Sequence, residues 1–257
     1  MLIGAGMIFS MLSMVQAASL PADAGNSIEG KNMKKILVVE TNVDHYGDTV
    51  KKTGVWLEEI TSFYAVLTQA GYTVDFASSQ GGVVPVDPAS ANADVETMTI
   101  FRDAAFHRAA LEETLRYSEI NPAEYAAIYY GGGHGAMWDF PDNADLQRIA
   151  EAIYADGGYV TSVCHGEAGL LNLRDAQGAY LIKDSEINGF TDQEERMNGT
   201  AGAVPFLAET ELTRRGAAFV QGAPFTEFAV QDGRFITGQN PMSSHKVAVM
   251  LAAALKG

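Results

Sequence analysis

The chain has 257 residues, 47% apolar and 19% charged, enough for one large domain with its own core and unlike a disordered chain. Its 32 acidic against 17 basic residues give a formal charge of −15, which repels phosphate backbones and argues against a nucleic-acid partner. Cys164 is the single cysteine, so neither an intramolecular disulfide nor a multi-cysteine zinc site is available.

Residues 1–17 read as a secretory signal peptide. The opening run MLIGAGMIFSMLSMVQAASL is apolar and uncharged, and Val15-Gln16-Ala17 offers a cleavage site with a small residue at its end. No basic residue precedes Lys31, so the positive n-region of such a signal is missing; an uncleaved anchor and a cytoplasmic protein with an N-terminal extension stay open. The expected location is periplasmic or secreted, with cytoplasmic the alternative. No stable membrane association follows if the segment is cleaved. Residues 18–32 read as a flexible N-terminal segment and 33–257 as one domain.

From Met33 strands and helices alternate. KKILVVE (34–40) is a β-rich run of the buried parallel type. Residues 54–71 show helical apolar spacing through Trp56, Leu57, Ile60, Phe63, Tyr64 and Leu67, with Gly71 as the stop. YTVDFAS (72–78) is a second strand, and 97–116 reads as another helix. AAIYYGGGHG (126–135) is a strand entering a glycine loop; 142–156 is helical. YVTSV (159–163) is a strand that breaks at Cys164-His165-Gly166 and turns into a helix. Helices follow at 203–216 and 242–256, with a hairpin over 227–238 turned at Asp232-Gly233. This order predicts a flavodoxin-like three-layer α/β sandwich, a mostly parallel sheet with helices on both faces, whose ligand site lies beyond the carboxyl ends of the strands.

Three segments fall at such ends: the residues after Glu40, the GGGHG loop and Cys164. A cysteine at a strand-to-helix corner forms a nucleophile elbow, its side chain exposed and its sulfur near amides that favour the thiolate. The plainer reading is a small buried hydrophobe. Glu58 and Glu59 could equally be a solvated helix face, Glu194 and Glu195 an ion-pair or capping cluster, and GGGHG a tight turn. Asp44, His45 and Asp48 read as a polar loop, and no metal site is expected. Tyr46, Trp138 and Phe140 are candidate walls of a pocket. His134 reads as a loop residue rather than a catalyst.

Six segments in order, residues 53–82, VPVDPAS (84–90), YYGGGHGAMWDFPDN (129–143), SVCHGEAGLL (162–171), NGFTDQEE (188–195) and FITGQNPMSSHKVA (235–248), resemble the DJ-1/PfpI superfamily, which has the class I glutamine amidotransferase-like fold. Within it the chain is most similar to the heat-shock-protein-31-like chaperone and glyoxalase III branch. The resemblance implies Cys164 as nucleophile, His165 as its partner, Glu195 as the third member with Glu194 the rival, and Glu59 beside the sulfur with Glu58 the rival. It also implies oxyanion donors at Gly132 and Gly133 with the His165 amide, and a homodimer. The glutaminase chemistry of the fold is not expected, because the late histidine, His245, has no glutamate two residues on. The implied activity is cofactor-free conversion of small 2-oxoaldehydes such as methylglyoxal to 2-hydroxy acids such as lactate. A redox-sensing or holdase stress protein is the alternative, and a cysteine peptidase or amidase a lesser one.

Overall fold

The computed structural model describes residues 35–257. The signal-peptide reading of 1–17 and the flexible segment 18–32 lie outside the described residues.

The first βα unit sets the pattern. Strand β1 (Lys35–Glu40) leads to helix α1 (Leu57–Gln69), and the chain returns as β2 (Val74–Ser78) parallel to β1. Helices α2 (Val95–Phe101) and α3 (Ala104–His107) precede the two-residue strand β3 (Leu115–Arg116). Then come β4 (Tyr125–Tyr130), α4 (Ala136–Asp139), α5 (Ala144–Ala155) and β5 (Tyr159–Val163). The chain continues through β6 (Glu186–Ile187), α6 (Asp192–Met197), α7 (Ala208–Arg214), β7 (Ala218–Phe219), β8 (Ala229–Asp232), β9 (Phe235–Gly238) and α8 (Ser244–Ala254). The main sheet has seven strands in the order β3-β2-β1-β4-β5-β9-β8, every neighbouring pair parallel except the β8–β9 hairpin. β6 and β7 form a separate parallel pair.

Strand alternation builds two cores, because successive side chains leave opposite faces of the sheet. Leu37, Val39 and Tyr130 join Leu146, Ile149 and Ile153 of α5 on one face. Ile36, Val38 and Tyr129 join Ile60 and Phe63 of α1 and Val247 and Leu251 of α8 on the other. With both faces covered, the polar ends of the strands are the place left for chemistry. The chain winds outward from β1 to β2, then crosses back to β4 on the other flank of β1; the order thus reverses between β1 and β4. Among the described residues no helix is long and apolar enough to cross a membrane.

Three expected helices differ from the sequence reading. The stretch 97–116 is two capped helices, a π-helical turn (Arg108–Glu112) and β3, because Asp94 and Asp103 each accept backbone N–H groups and start a new helix. The helix expected from 203 begins at Ala208, after Pro205, which disfavours helical backbone at the residue before it. The turn after Cys164 is 3₁₀ rather than α, over Cys164–Leu170. Close contact explains it: a Cβ on Gly166 would meet the Tyr130 carbonyl oxygen at 2.2 Å, and one on Gly169 the Tyr130 ring at 2.2 Å.

Candidate active site

Cys164 has φ of +54°, a left-handed conformation that a non-glycine residue holds only when its surroundings impose it. The corner between β5 and the 3₁₀ turn therefore carries strain at the sulfur. Contrary to the exposed thiol expected from the sequence, Cys164 is only 3% exposed. Burial pushes its thiol up, and the carboxyls of Glu59 and Glu167 act in the same direction; the His165 amide facing the sulfur opposes them. The expectation of amide-favoured thiolate is thus outweighed by burial, and deprotonation requires an acceptor.

That acceptor is adjacent. His165 Nδ1 stands 3.2 Å from Cys164 Sγ, and His165 Nε2 stands 2.8 Å from Glu195 Oε2. Burial raises the Glu195 carboxyl, yet hydrogen bonds from His134 and His165 outweigh it and hold it below the ordinary carboxylate range. An ionised carboxylate only accepts, so Nε2 of His165 carries the proton and Nδ1 is left bare toward the sulfur. His134 Nε2 donates to Glu195 Oε1 at 3.1 Å by the same logic. One carboxylate thereby orients two imidazoles, whose ring centroids lie 3.8 Å apart.

Glu194, one residue earlier, faces elsewhere. It closes the capping box of α6 with Thr191 and accepts from Phe225 N–H and Asn240 Nδ2. On α1 the division is similar. Glu59 is fully buried, its Oε2 accepting the Gly132 amide at 2.6 Å and its carboxyl facing Cys164. Burial, opposed by the bonds from Gly132 and Cys164, pushes Glu59 well above the ordinary carboxylate value. The carboxyl is therefore protonated at neutral pH and able to donate to a sulfur that has lost its own proton. Glu58 is half-buried beside Trp56 and Asp94 and does not reach the sulfur.

The glycine loop needs correction. The Gly132 N–H is committed to Glu59, so the expected oxyanion role does not fit that amide. Close approach explains the glycines instead: a Cβ on Gly132 would lie 2.6 Å from Glu59 Oε2, and one on Gly133 2.1 Å from the Gly54 carbonyl oxygen. The loop residue that does line the cavity is His134, a lesser candidate in the sequence, read as a loop residue rather than a catalyst, and here bonded to Glu195. Its position in the glycine loop that follows β4 is the signal that could have found it. Burial, with His165 nearby, lowers its pKa to about 4, so it is neutral.

The cavity measures about 470 Å³ and is lined by Cys164 and His165, with Tyr46, Trp56, Phe190 and Phe225 also among its walls. Tyr46 stacks obliquely on His134 at 4.9 Å. Trp138 packs on Tyr46 from behind, at 5.7 Å, and Phe140 belongs to the core beside Tyr130, so neither is a wall. His134, His165 and Glu195 present ligand atoms within 4.8 Å of one another, the one set among the described residues that could hold a metal ion; Asp44, His45 and Asp48 form no such set.

The DJ-1/PfpI family model matches residues 50–254. The chain belongs to the DJ-1/PfpI family. Glyoxalase 3 of Candida albicans is 34% identical over 236 residues, covering 87% of this chain and 99% of that protein. The glutathione-independent glyoxalase HSP31 of Saccharomyces cerevisiae is 34% identical over 235 residues, covering 87% and 98%. Among solved structures, the Francisella tularensis rapid encystment protein of 24 kDa superposes with a TM-score of 0.84 at 34% identity, covering 87% of this chain and 99% of that one. Candida albicans glyoxalase III superposes with a TM-score of 0.77 at 33% identity, covering 87% and 98%. The mostly parallel sheet is the flavodoxin-like fold of this family.

Proposed function

We propose that this DJ-1/PfpI chain is a cysteine-dependent glyoxalase of the glutathione-independent kind, converting 2-oxoaldehydes and water to 2-hydroxy acids. The observation that carries it is the bare Nδ1 of His165, 3.2 Å from the Cys164 sulfur and held by Glu195. Relatives of the same fold named as glyoxalases, matched over 98–99% of their own length, support the same reading.

The chemistry follows from the protons. His165 Nδ1 takes the Cys164 proton as the sulfur adds to the aldehyde carbon, C1, forming a C–S bond. The same proton returns to the new alkoxide, giving a hemithioacetal. Neutral again, His165 removes the C1 hydrogen as a proton, the electron pair passes into an enediol, and protonation at C2 leaves a thioester and a C2 hydroxyl. Water then cleaves the C–S bond, releasing the 2-hydroxy acid and restoring the thiol. The sequence is an internal redox isomerisation plus hydrolysis, and it draws on no outside electron acceptor. Glu59, protonated by its burial, donates to the sulfur whenever the sulfur is anionic.

Purified protein given methylglyoxal without glutathione should form lactate, and Cys164→Ala should abolish it. Wild-type turnover by Cys164→Ala sinks the mechanism.

A further inference from the structure

The cavity is much larger than methylglyoxal requires. It encloses about 470 Å³, whereas five heavy atoms occupy the room of roughly two or three water molecules at ~30 Å³ each. Its walls include four flat aromatic rings, those of Tyr46, Trp56, Phe190 and Phe225. Phe225 is 38% exposed and, at φ of +54°, is held in a left-handed conformation with its N–H on Glu194 Oε1. Such walls suit a planar body attached to the reacting aldehyde.

Two cations line the same cavity, Lys51 and Lys52, and they differ. Lys52 Nζ is paired with Asp44 Oδ2 at 3.1 Å. Lys51 Nζ lies over the Tyr46 ring, 4.0 Å from its centroid, and forms no ion pair or side-chain hydrogen bond with a carboxylate among the described residues. The acid lining the cavity, Asp87, already accepts from Thr53 Oγ1 and the Ala89 amide. In a chain with a net charge of −15, an exposed ammonium at the cavity lining, over an aromatic platform and without an ionic partner, is an anion subsite: the ring limits its hydration on one side and leaves its N–H donors free for an anion. Its charge also reaches the cluster, contributing to the lowered proton affinity of His134.

We infer that Lys51 anchors a carboxylate carried by the body of the substrate, so that the preferred substrates are 2-oxoaldehydes with a flat apolar body ending in a carboxylate. The inference rests on the thiol chemistry proposed above for the reacting aldehyde, and it assigns the cavity wall at Tyr46 and Lys51.

The test compares phenylglyoxal with 4-carboxyphenylglyoxal on the full chain. Wild-type protein should favour the carboxylated compound in kcat/KM by about fivefold at low salt, the scale of one partly exposed charge pair, and the preference should shrink as salt is added. Within each variant the ratio of the two substrates is the readout: Lys51→Gln should bring it to about one, Lys51→Glu should invert it, and Lys51→Arg should keep it. Turnover of phenylglyoxal with no preference for the carboxylated compound, or a ratio unchanged in Lys51→Gln, overturns the anchor and leaves the thiol chemistry standing. If neither compound is turned over, methylglyoxal separates the two readings: lactate from methylglyoxal leaves the thiol chemistry standing, no turnover of methylglyoxal either sinks it, and in both cases calorimetric binding of mandelate against 4-carboxymandelate decides the anchor alone. Tighter binding of the dicarboxylate that is lost in Lys51→Gln supports it, and equal binding rejects it.

Discussion

Glu59 Oε2 and the Gly132 amide are 2.6 Å apart, and this bond joins α1 to the glycine loop where both approach the sulfur. It fixes a buried carboxyl, its pKa raised by burial, beside Cys164. Glu59→Gln keeps the shape and an N–H donor but loses the transferable proton. Turnover should fall by about 10²-fold, the scale of one acid/base group, with the far-ultraviolet circular dichroism unchanged. A rate within threefold of wild type would remove Glu59 from the chemistry.

His134 and Glu195 predict a pH dependence of stability. A histidine whose folded pKa is about 4 binds fewer protons than its unfolded counterpart between about 4 and the ordinary value of 6.5. Its contribution is complete above that window and is lost as pH falls through it. Glu195, held low by the two imidazoles, has the same sign below the ordinary carboxylate range. Thermal unfolding should therefore weaken from pH 7 to pH 4, by up to roughly 3 kcal/mol from His134. In His134→Asn the part of the profile between 4 and 6.5 should flatten; a slope equal to wild type there would contradict the assignment.

Glu40 acts in the opposite sense. Its carboxyl is fully buried at the end of β1, neither oxygen has a hydrogen-bond partner, and burial pushes its pKa well up. A raised carboxyl favours folding below the unfolded pKa, and that advantage is lost as pH rises toward the folded value. Glu40→Gln should accordingly gain on wild type as pH increases from 5 to 8, read by urea unfolding. A gain independent of pH would show that charge is not the cause.

The glycines of the 3₁₀ turn give a steric prediction. Gly166→Ala drives a methyl group to 2.2 Å from the Tyr130 carbonyl oxygen, a backbone atom that has little room to yield. The loss should be about 2–3 kcal/mol or more, read as a lower melting temperature. Gly202→Ala, with no atom within 4 Å and no left-handed φ, should be near neutral. Equal melting temperatures for the two variants would refute the crowding at Tyr130.

Sequence patterning carried the sheet because alternation and strand-to-helix order are local signals: β1, β2, β4, β5 and the Asp232-Gly233 hairpin lie within a few residues of their expected places. Helix breaks were less legible, since Asp94 and Asp103 are caps only if the chain turns there. The site divides in the same way. Cys164 and His165 are adjacent and announce themselves at a corner. Choosing Glu195 over Glu194, and Glu59 over Glu58, required the resemblance, because adjacent glutamates differ only in the face they take. The burial of Cys164 and the roles of Gly132 and His134 depend on contacts between segments far apart in sequence, which no spacing encodes.

The start of α6 has a consequence for how the site tolerates change. Thr191 and Glu194 lock the first turn of that six-residue helix, and the very next side chain, Glu195, is the one that aims both imidazoles. The alignment of the proton path is therefore indexed to one threonine hydroxyl rather than to the two large cores. Drift in the bulk packing leaves that index in place, whereas inserting one residue just after Thr191 would move Glu194 into the working position, and deleting one there would put Arg196 in it, without disturbing the sheet.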